Sequence, residues 1–207
     1  MNSKPYHHGD LRTALIEKAI EVIDEKGVEG LSLRKVAAAC GVSEAAPYSH
    51  FANKSELLAA IESHALGKFA SALRESLKDT AGLEGLVNMG CAFVMFFAHN
   101  RQYFDLIYSH LNVKAGGNDK NEPYDIIVNY VLRLFDSIDY PKELRQKTFT
   151  AYFSFVQGLT MTTLIDTNRD DVTAMEERAR DLLTTNYLLF INTMPTPQMP
   201  DGLNEGN

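Results

Sequence analysis

The chain has 207 residues, of which 45% are hydrophobic, so it is long enough for one or two cored domains and too apolar to be largely disordered. Its two cysteines exclude a disulfide framework, and no residues have the spacing of zinc ligands. The net charge of −7 falls mostly on the C-terminal part, because residues 1–60 carry only −1. Such a nearly neutral N-terminal segment argues against a protein that coats nucleic acid non-specifically, which needs more positive charge.

Uninterrupted apolar runs in the sequence are short. The longest, Cys91 to Ala98, is far below the ~20 residues that cross a membrane. The N-terminal residues are polar and lack the apolar core of a signal peptide. We therefore expect a soluble cytoplasmic protein with no membrane partner.

The first predicted elements are an N-terminal arm and two helices. Pro5 and Gly9 interrupt residues 1–10, and apolar residues at helical spacing then predict a helix from about Asp10, its expected N-cap, to Lys26. A second helix is expected from Leu33 to Cys40. The first helix would pack across the second and the one that follows, completing a three-helix domain.

The residues around the second helix predict a helix-turn-helix. Ser32 is a suitable N-cap, and Gly41 suits a helix end where the backbone needs φ > 0. Ser43 is a suitable N-cap for a third helix, whose start Pro47 is expected to make irregular because proline has no backbone N–H. The second helix of such a pair can lie in the major groove of DNA.

The rest of the chain is also predicted to be helical, with Gly82 and Gly85 marking a break and residues 114–121 a loop. The predicted helices cover 55–78, 86–98, 101–111, a segment starting at Pro123, a segment from Pro141 to Leu164, and 172–194. Residues 195–207 contain three prolines and are expected to form a flexible tail. The predicted fold class is therefore all-α, with about nine helices and no strand.

One stretch carries a specific resemblance. Directly after Gly41-Val42-Ser43, the residues Tyr48 to Leu58 read Y-x-H-F-x-x-K-x-x-L-L. This pattern resembles the DNA-binding domain of the TetR family of bacterial transcriptional regulators. The opening Y-H-H-G-D-L-R, from Tyr6 to Arg12, and the A-A-P-Y ending at Tyr48 resemble one branch of that family. The resemblance is specific over residues 6–62 and only architectural beyond them.

The resemblance implies a set of DNA contacts. Glu44 and Ala45 would face base edges, as Glu accepts from cytosine N4 and Ala touches a thymine methyl group. Tyr48 and Lys54 would contact phosphates, which position the protein without reading sequence. The whole implied set is Ser32, Arg34, Lys35, Ser43, Glu44, Ala45, Tyr48, Ser49, His50 and Lys54.

The C-terminal half contains many aromatic residues of the kind that line a ligand pocket, although ordinary core packing explains any single one. Where the branch has Trp-x-x-Val-His-Gly, this chain has Phe153 in place of Trp and Gln157 in place of His, so the branch's ligand is not carried over. Gln157 lies in an apolar run and must find a hydrogen-bond partner. The candidate pocket residues are Phe93, Phe97, Phe104, Tyr108, Tyr130, Tyr152, Phe153, Gln157 and Met161.

The resemblance also implies an organisation and a function. Residues 1–54 would form the arm and DNA-binding domain, residues 55–194 a helical ligand-binding and dimerisation domain, and 195–207 the tail. The expected protein is a homodimer through its last two long helices, a repressor released from a palindromic DNA operator by a small hydrophobic or aromatic effector, and associated with the bacterial nucleoid. A ligand-independent regulator or an activator stays open, and so does an all-α small-molecule enzyme, although no catalytic motif, cofactor or metal site is indicated.

Overall fold

The structure, a computed structural model, describes residues 8–104, 106–107, 122–165 and 171–192. These ranges contain seven α-helices and no strand, which agrees with the predicted all-α class. The α-helices are α1 (His8–Lys26), α2 (Leu33–Cys40), α3 (Lys54–Ser76), α4 (Gly82–His99), α5 (Glu122–Ser137), α6 (Lys142–Ile165) and α7 (Val172–Asn192). Three short 3-10 helices lie between them, at Val28–Gly30, Ala46–Ser49 and Arg101–Tyr103.

The N-terminal helices share a small core. α1 packs against α2 and against α3, and Leu15, Val36 and Leu57 are fully buried where the three meet. Phe51 is buried just before α3, and the Arg12 guanidinium lies 5.2 Å from the centre of its ring. The start of α3 is thereby packed against α1.

Local sequence signals explain most helix ends in this region. Ser32 Oγ accepts a hydrogen bond from Lys35 N at 3.3 Å, so the predicted N-cap of α2 is confirmed. Asn53 Oδ1 accepts one from Glu56 N at 3.0 Å and caps α3 in the same way. Gly41 ends α2 at φ 67°, a conformation that side chains with a Cβ rarely adopt. The prediction for α1 was wrong at its start, because the helix already includes His8, two residues before Asp10.

α4 is the central element of the rest of the molecule, since it packs against α3, α5, α6 and α7. Its eighteen residues are apolar enough to qualify by length and composition as a membrane-crossing segment, which the search for uninterrupted apolar runs overlooked. Eleven of those residues are buried against the neighbouring helices. α4 therefore serves here as the core helix, as the sequence pattern over residues 86–98 predicted.

One predicted helix is not an α-helix, because the recognition segment after Ser43 is the 3-10 helix Ala46–Ser49. The predicted helix 101–111 begins as the 3-10 helix Arg101–Tyr103 and is α-helical at residues 104 and 106–107, and its other residues lie outside the described ranges. Gly85 was also wrongly placed in a break, because it lies inside α4. The predicted loop 114–121 and tail 195–207 lie outside the described residues.

Candidate nucleic-acid interface and aromatic core

A tight turn joins α2 to the recognition segment. Val42 N donates to Ala37 O at 3.0 Å, and Ala46 N then donates to Ser43 O at 3.0 Å. Pro47 is buried and has no N–H, so the hydrogen bond that would open an α-helix at Ser43 is missing. The segment follows 3-10 geometry instead, which corrects the predicted α-helix starting at Ser43. It presents one turn, where an α-helix would present two or three.

The recognition segment exposes most of the predicted base-reading residues. Ser43, Glu44, Ala45, Tyr48 and Ser49 are all exposed, and Tyr48 keeps 53% of its surface in solvent. Ser49 Oγ donates to Ala46 O at 2.7 Å, so its hydroxyl proton is already used inside the turn. These side chains form a short polar surface beside the end of α2.

An ion pair connects this surface to α2. Arg34 Nε lies 3.5 Å from Glu44 Oε2, and both side chains are about three-quarters exposed, at 75% and 74%. An exposed pair of this kind contributes little stability. Its effect is to keep a positive and a negative group together at the edge of the recognition segment.

Two predicted phosphate contacts are lysines that bond to the α1–α2 connection. Lys35 Nζ donates to Gly30 O at 2.7 Å, and Lys54 Nζ donates to Val28 O at 2.8 Å. An ammonium group has three N–H donors, so each lysine keeps two for an anion. The Lys54 bond also connects the first residue of α3 to the 3-10 helix Val28–Gly30 that follows α1.

His50 is only half exposed, and its Nε2 atom is buried without a hydrogen-bond partner among the described residues. Its ring lies 6.4 Å from that of Phe51. A DNA contact from His50 would therefore have to use the other ring nitrogen, and that contact stays a prediction.

Four of the predicted pocket residues lie in an aromatic cluster: Phe93, Phe97, Phe104 and Phe153. Phe93 and Phe97 are almost fully buried, and their ring centres are 5.1–5.3 Å from each other and from Phe69 of α3. Phe153 reaches the cluster edge-on to Phe93 at 5.8 Å. The cavity that Phe93 and Phe153 line with neighbouring residues of α4, α5 and α6 is about 10 Å³, which holds at most one water molecule. Among the described residues this part of the cluster is packed as a core, with no space there for an organic ligand.

The other predicted pocket residues are dispersed. Phe104 packs edge-on against Phe97 at 5.4 Å, Gln157 is half-buried on α6, and Met161 is 39% exposed. Tyr108 lies outside the described residues. The structure therefore brings together Phe93, Phe97, Phe104 and Phe153, and leaves Met161 at the surface.

Two tyrosines predicted to line the pocket bind the backbone of α4. Tyr130 Oη donates to Gly82 O at 2.8 Å, and Tyr152 Oη donates to Leu86 O at 2.8 Å. Burial raises the pKa of both hydroxyls above the ordinary range, so they remain protonated donors. A Cβ atom at Gly85 would overlap the Tyr130 hydroxyl, which explains the glycine inside the helix. These hydroxyls connect α5 and α6 to α4.

Neither cysteine shows signs of a reactive thiol. Cys40 and Cys91 are both free, and burial raises the pKa of each. Cys40 Sγ donates a weak hydrogen bond to Ala14 O at 3.7 Å. Within the described ranges no three His, Cys, Asp or Glu side chains are grouped as a metal site would require.

Sequence reasoning missed a larger opening, a crevice of about 170 Å³ where α4 ends and α6, α7 and the 3-10 helix Arg101–Tyr103 meet. Its lining residues come from four separate segments. The one local signal was the pair of basic residues His99 and Arg101 at the end of a strongly apolar helix.

Comparison with known proteins agrees with this geometry. Residues 15–61 match the family described as "Bacterial regulatory proteins, tetR family". The fatty acid metabolism regulator protein of Bacillus subtilis (strain 168) is 31% identical over 67 residues, which are 32% of this chain and 34% of that protein. The tetracycline repressor protein class C of Escherichia coli is 44% identical over 50 residues, which are 24% and 23% of the two chains. The matches thus span about a third of the first relative and about a quarter of the second.

The fold is shared over a longer range. The structure of the transcriptional regulator FadR from Bacillus subtilis in complex with stearoyl-CoA has a TM-score of 0.60 at 19% identity, over 83% of this chain and 96% of that one. At this identity the likeness concerns the fold. The helix-turn-helix of residues 32–51 lies within residues 15–61, and it is this N-terminal segment that matches the tetR family of bacterial regulatory proteins.

Proposed function

We propose that this chain is a sequence-specific transcriptional regulator that binds a palindromic DNA operator as a dimeric repressor and is released by a small apolar ligand. The observation that carries the proposal is the exposed recognition segment, which a glycine turn and a buried proline hold against α2. The names of the two relatives, a regulator and a repressor, support the same class of function. We further propose that the protein works in the cytoplasm, on the nucleoid.

The proposed contacts divide into reading and positioning. Glu44 and Ala45 are exposed at the start of the recognition segment, where they would meet cytosine N4 and a thymine methyl group. Tyr48 would donate its hydroxyl to a phosphate. The remaining positioning contacts would come from Ser32, Arg34, Lys35, Ser43, Ser49, His50 and Lys54. With few cations in this set, the affinity should decrease with salt less steeply than for a strongly basic protein.

Dimerisation is proposed through the outer faces of α6 and α7. Three large apolar side chains are exposed there: Met161 at 39%, Ile165 at 67% and Val172 at 42%. Gly158 is also exposed on α6, and a Cβ added there would contact nothing within 4 Å. A small residue with apolar neighbours lets a second helix approach closely.

The dimer has a matched test, because Gly67 on α3 is exposed in the same way and a Cβ there also meets nothing. Gly158→Arg should give a folded monomer in sedimentation equilibrium, whereas Gly67→Arg should remain a dimer. A Gly158→Arg chain that stays dimeric would place the interface elsewhere.

The proposed functions are assigned to successive segments of the chain. Residues 1–54 would bind DNA, residues 55–194 would bind the ligand and the second subunit, and 195–207 would be a tail outside both. α3 extends from the Lys54–Val28 bond to Phe69 in the aromatic cluster, so it can transmit a movement of one to the other. The FadR structure contains stearoyl-CoA, which supports an apolar effector here, although the aromatic cluster would have to open to admit one.

The experiment that tests the proposal selects binding sequences from a random duplex pool with the purified chain. A short palindrome should be enriched, and a Tyr48→Phe, Arg34→Ala variant should lose or weaken that enrichment. Lys142→Ala, which removes a cation at the start of α6, is the matched control and should enrich the same sequence. If a folded dimer enriches no sequence at moderate salt, the proposal is wrong.

A further inference from the structure

We infer that the crevice between α4, α6, α7 and Arg101–Tyr103 is a binding site for a small carboxylate with an apolar body, distinct from the aromatic cluster. Binding at this site does not depend on the proposed function. Its effect on DNA does, because that effect requires the chain to be a DNA-binding regulator.

The volume and the apolar lining of the crevice determine the size and the apolar character of the ligand. Its volume is about 170 Å³, and five apolar side chains line it, namely Met95, Ala98, Leu164, Val172 and Met175. An apolar protein cavity of ~150 Å³ binds benzene, so this volume suits one aromatic ring or a short alkyl chain. The aromatic cluster, with its cavity of about 10 Å³, admits neither.

The charges of the lining residues determine that the polar group of the ligand is an anion. Arg101 and His99 are the two ionisable side chains of the wall, and no acidic side chain of the described residues lines it. Arg101 Nη1 donates to Leu164 O at 2.5 Å, the one hydrogen bond it makes within the described ranges. A guanidinium has five N–H donors in a planar fork that suits the two oxygens of a carboxylate, and the described residues use one of the five.

The first turn of α7 also lies at the wall, and a helix N-terminus favours an anion. This contribution is reduced here, because Asp171 Oδ1 already accepts from Ala174 N at 3.0 Å. The fixed guanidinium of Arg101 is therefore the group that selects a carboxylate over a neutral ligand of the same shape.

One connection from the site to the helix-turn-helix region runs through the short 3-10 helix Arg101–Tyr103. Tyr103, two residues after Arg101, is buried and stacks on Phe96 with ring centres 6.0 Å apart. α1 packs against this same 3-10 helix, and Glu17 of α1 adds to the effect of burial in raising the pKa of Tyr103. A ligand whose carboxylate shifts the Arg101 side chain would therefore move the 3-10 helix against which α1 packs.

Benzoate and benzamide form a suitable pair of probes, because they have nearly the same shape and differ in charge. Calorimetry on the full chain without DNA should show benzoate binding at least about tenfold more tightly than benzamide. Arg101→Met should reduce benzoate affinity to the level of benzamide, whereas the control Arg133→Met, on the surface of α5, should not. Equal affinity for the two probes would overturn the proposed carboxylate site.

A second variant tests the contribution of the crevice volume to binding separately from that of Arg101. Ala98→Leu adds three carbons to the wall, so it should abolish binding of both probes while the melting temperature stays at or above that of the original chain. Unchanged benzoate binding in Ala98→Leu would place the ligand elsewhere and overturn the inference.

The effect on DNA is measured separately, as the affinity for the selected operator with and without benzoate. Benzoate should weaken the operator complex of the original chain and have no effect on that of Arg101→Met. A chain that binds benzoate as described but binds no DNA sequence would contradict the proposed function and leave the site intact. A chain that binds its operator but not benzoate would overturn the site alone.

Discussion

The helix-turn-helix region and the aromatic region use opposite arrangements of polar groups. Around the recognition segment the polar side chains face solvent, and Tyr48 leaves 53% of its surface exposed. In the aromatic region the hydroxyls of Tyr130 and Tyr152 point inward and bind the backbone of α4. The polar groups of the first region face solvent and can bind a partner. The hydroxyls of the second region already form hydrogen bonds within the protein.

The comparison shows that the same residue type predicts function in one place and packing in the other. The hydroxyl of an exposed tyrosine on a short turn can be hydrogen-bonded by water, so it needs no partner within the protein and can donate to a phosphate. A buried tyrosine must have its hydroxyl satisfied, and here a helix carbonyl does so. Aromatic richness alone therefore does not identify a ligand pocket.

The largest expected effect tests whether the two regions unfold together. Phe69→Ala and Phe51→Ala each remove a fully buried ring, one from each region, and each should cost about 3–5 kcal/mol of unfolding free energy. Because α3 belongs to both cores, thermal unfolding should remain a single transition in both variants. Two separate transitions in either variant would show that the regions are independent.

The next effect tests the inward-facing tyrosines. In Gly85→Ala the new methyl group overlaps the Tyr130 hydroxyl, so the variant should lose about 1–3 kcal/mol despite alanine's higher helix propensity. Gly67→Ala, at an open position on α3, is the control and should be neutral or slightly stabilising. Adding Tyr130→Phe should recover part of the loss, because the overlapping oxygen is removed. Additive losses in a chemical denaturation series would contradict the contact.

A smaller effect tests the outward-facing tyrosine. Tyr48→Phe should leave the melting temperature unchanged and weaken operator binding about fivefold, as expected for one lost hydrogen bond of ~1 kcal/mol. Tyr124→Phe, in α5, should leave the affinity unchanged. Equal affinities for the original chain and Tyr48→Phe in a fluorescence anisotropy titration would remove Tyr48 from the interface.

The smallest effect concerns pH. Burial lowers the pKa of His64 on α3, with Lys68 acting in the same direction and Glu17 opposing it, and Nε2 of His64 is buried without a partner among the described residues. The unfolded chain therefore takes up a proton below about pH 6.5, its ordinary pKa, when the folded chain does not. Stability should be complete above that pH and decrease as the pH falls from it toward the lower pKa of the folded state.

His64→Gln should reduce this loss, seen as a smaller difference between melting temperatures measured at about pH 7.5 and about pH 5.5. His99→Gln, with an exposed side chain, should keep the original difference. The interpretation fails if the two glutamine variants respond to acid in the same way.

The sequence predicts the helix-turn-helix region well because its signals are local. Ser32 and Asn53 each cap a helix by accepting from the backbone N–H three residues later, and Gly41 ends α2 by its own backbone conformation. Pro47 was recognised as a disturbance, but its effect was underestimated, because a missing N–H in so short a segment changes the helix type throughout.

The aromatic region is less predictable because its decisive contacts join distant residues. Gly85 signals a break when it is read alone, and only Tyr130, far along the chain, shows why a helix needs a glycine there. The crevice at Arg101 is assembled from four segments, which no spacing in the sequence relates. The periodicity of apolar residues predicts the buried faces of α4 and α6, but it does not predict which tyrosine hydroxyl donates to which backbone carbonyl.

The contact between Gly85 and Tyr130 has a consequence for how this protein can diverge. A side chain cannot be gained at position 85 while the hydroxyl is present, so a tolerated path must first lose the oxygen at position 130. The intermediate would lack the bond to Gly82 O and gain nothing in exchange. Descendants of this chain should therefore keep the glycine and the tyrosine together or replace both, and the two positions should change as a linked pair.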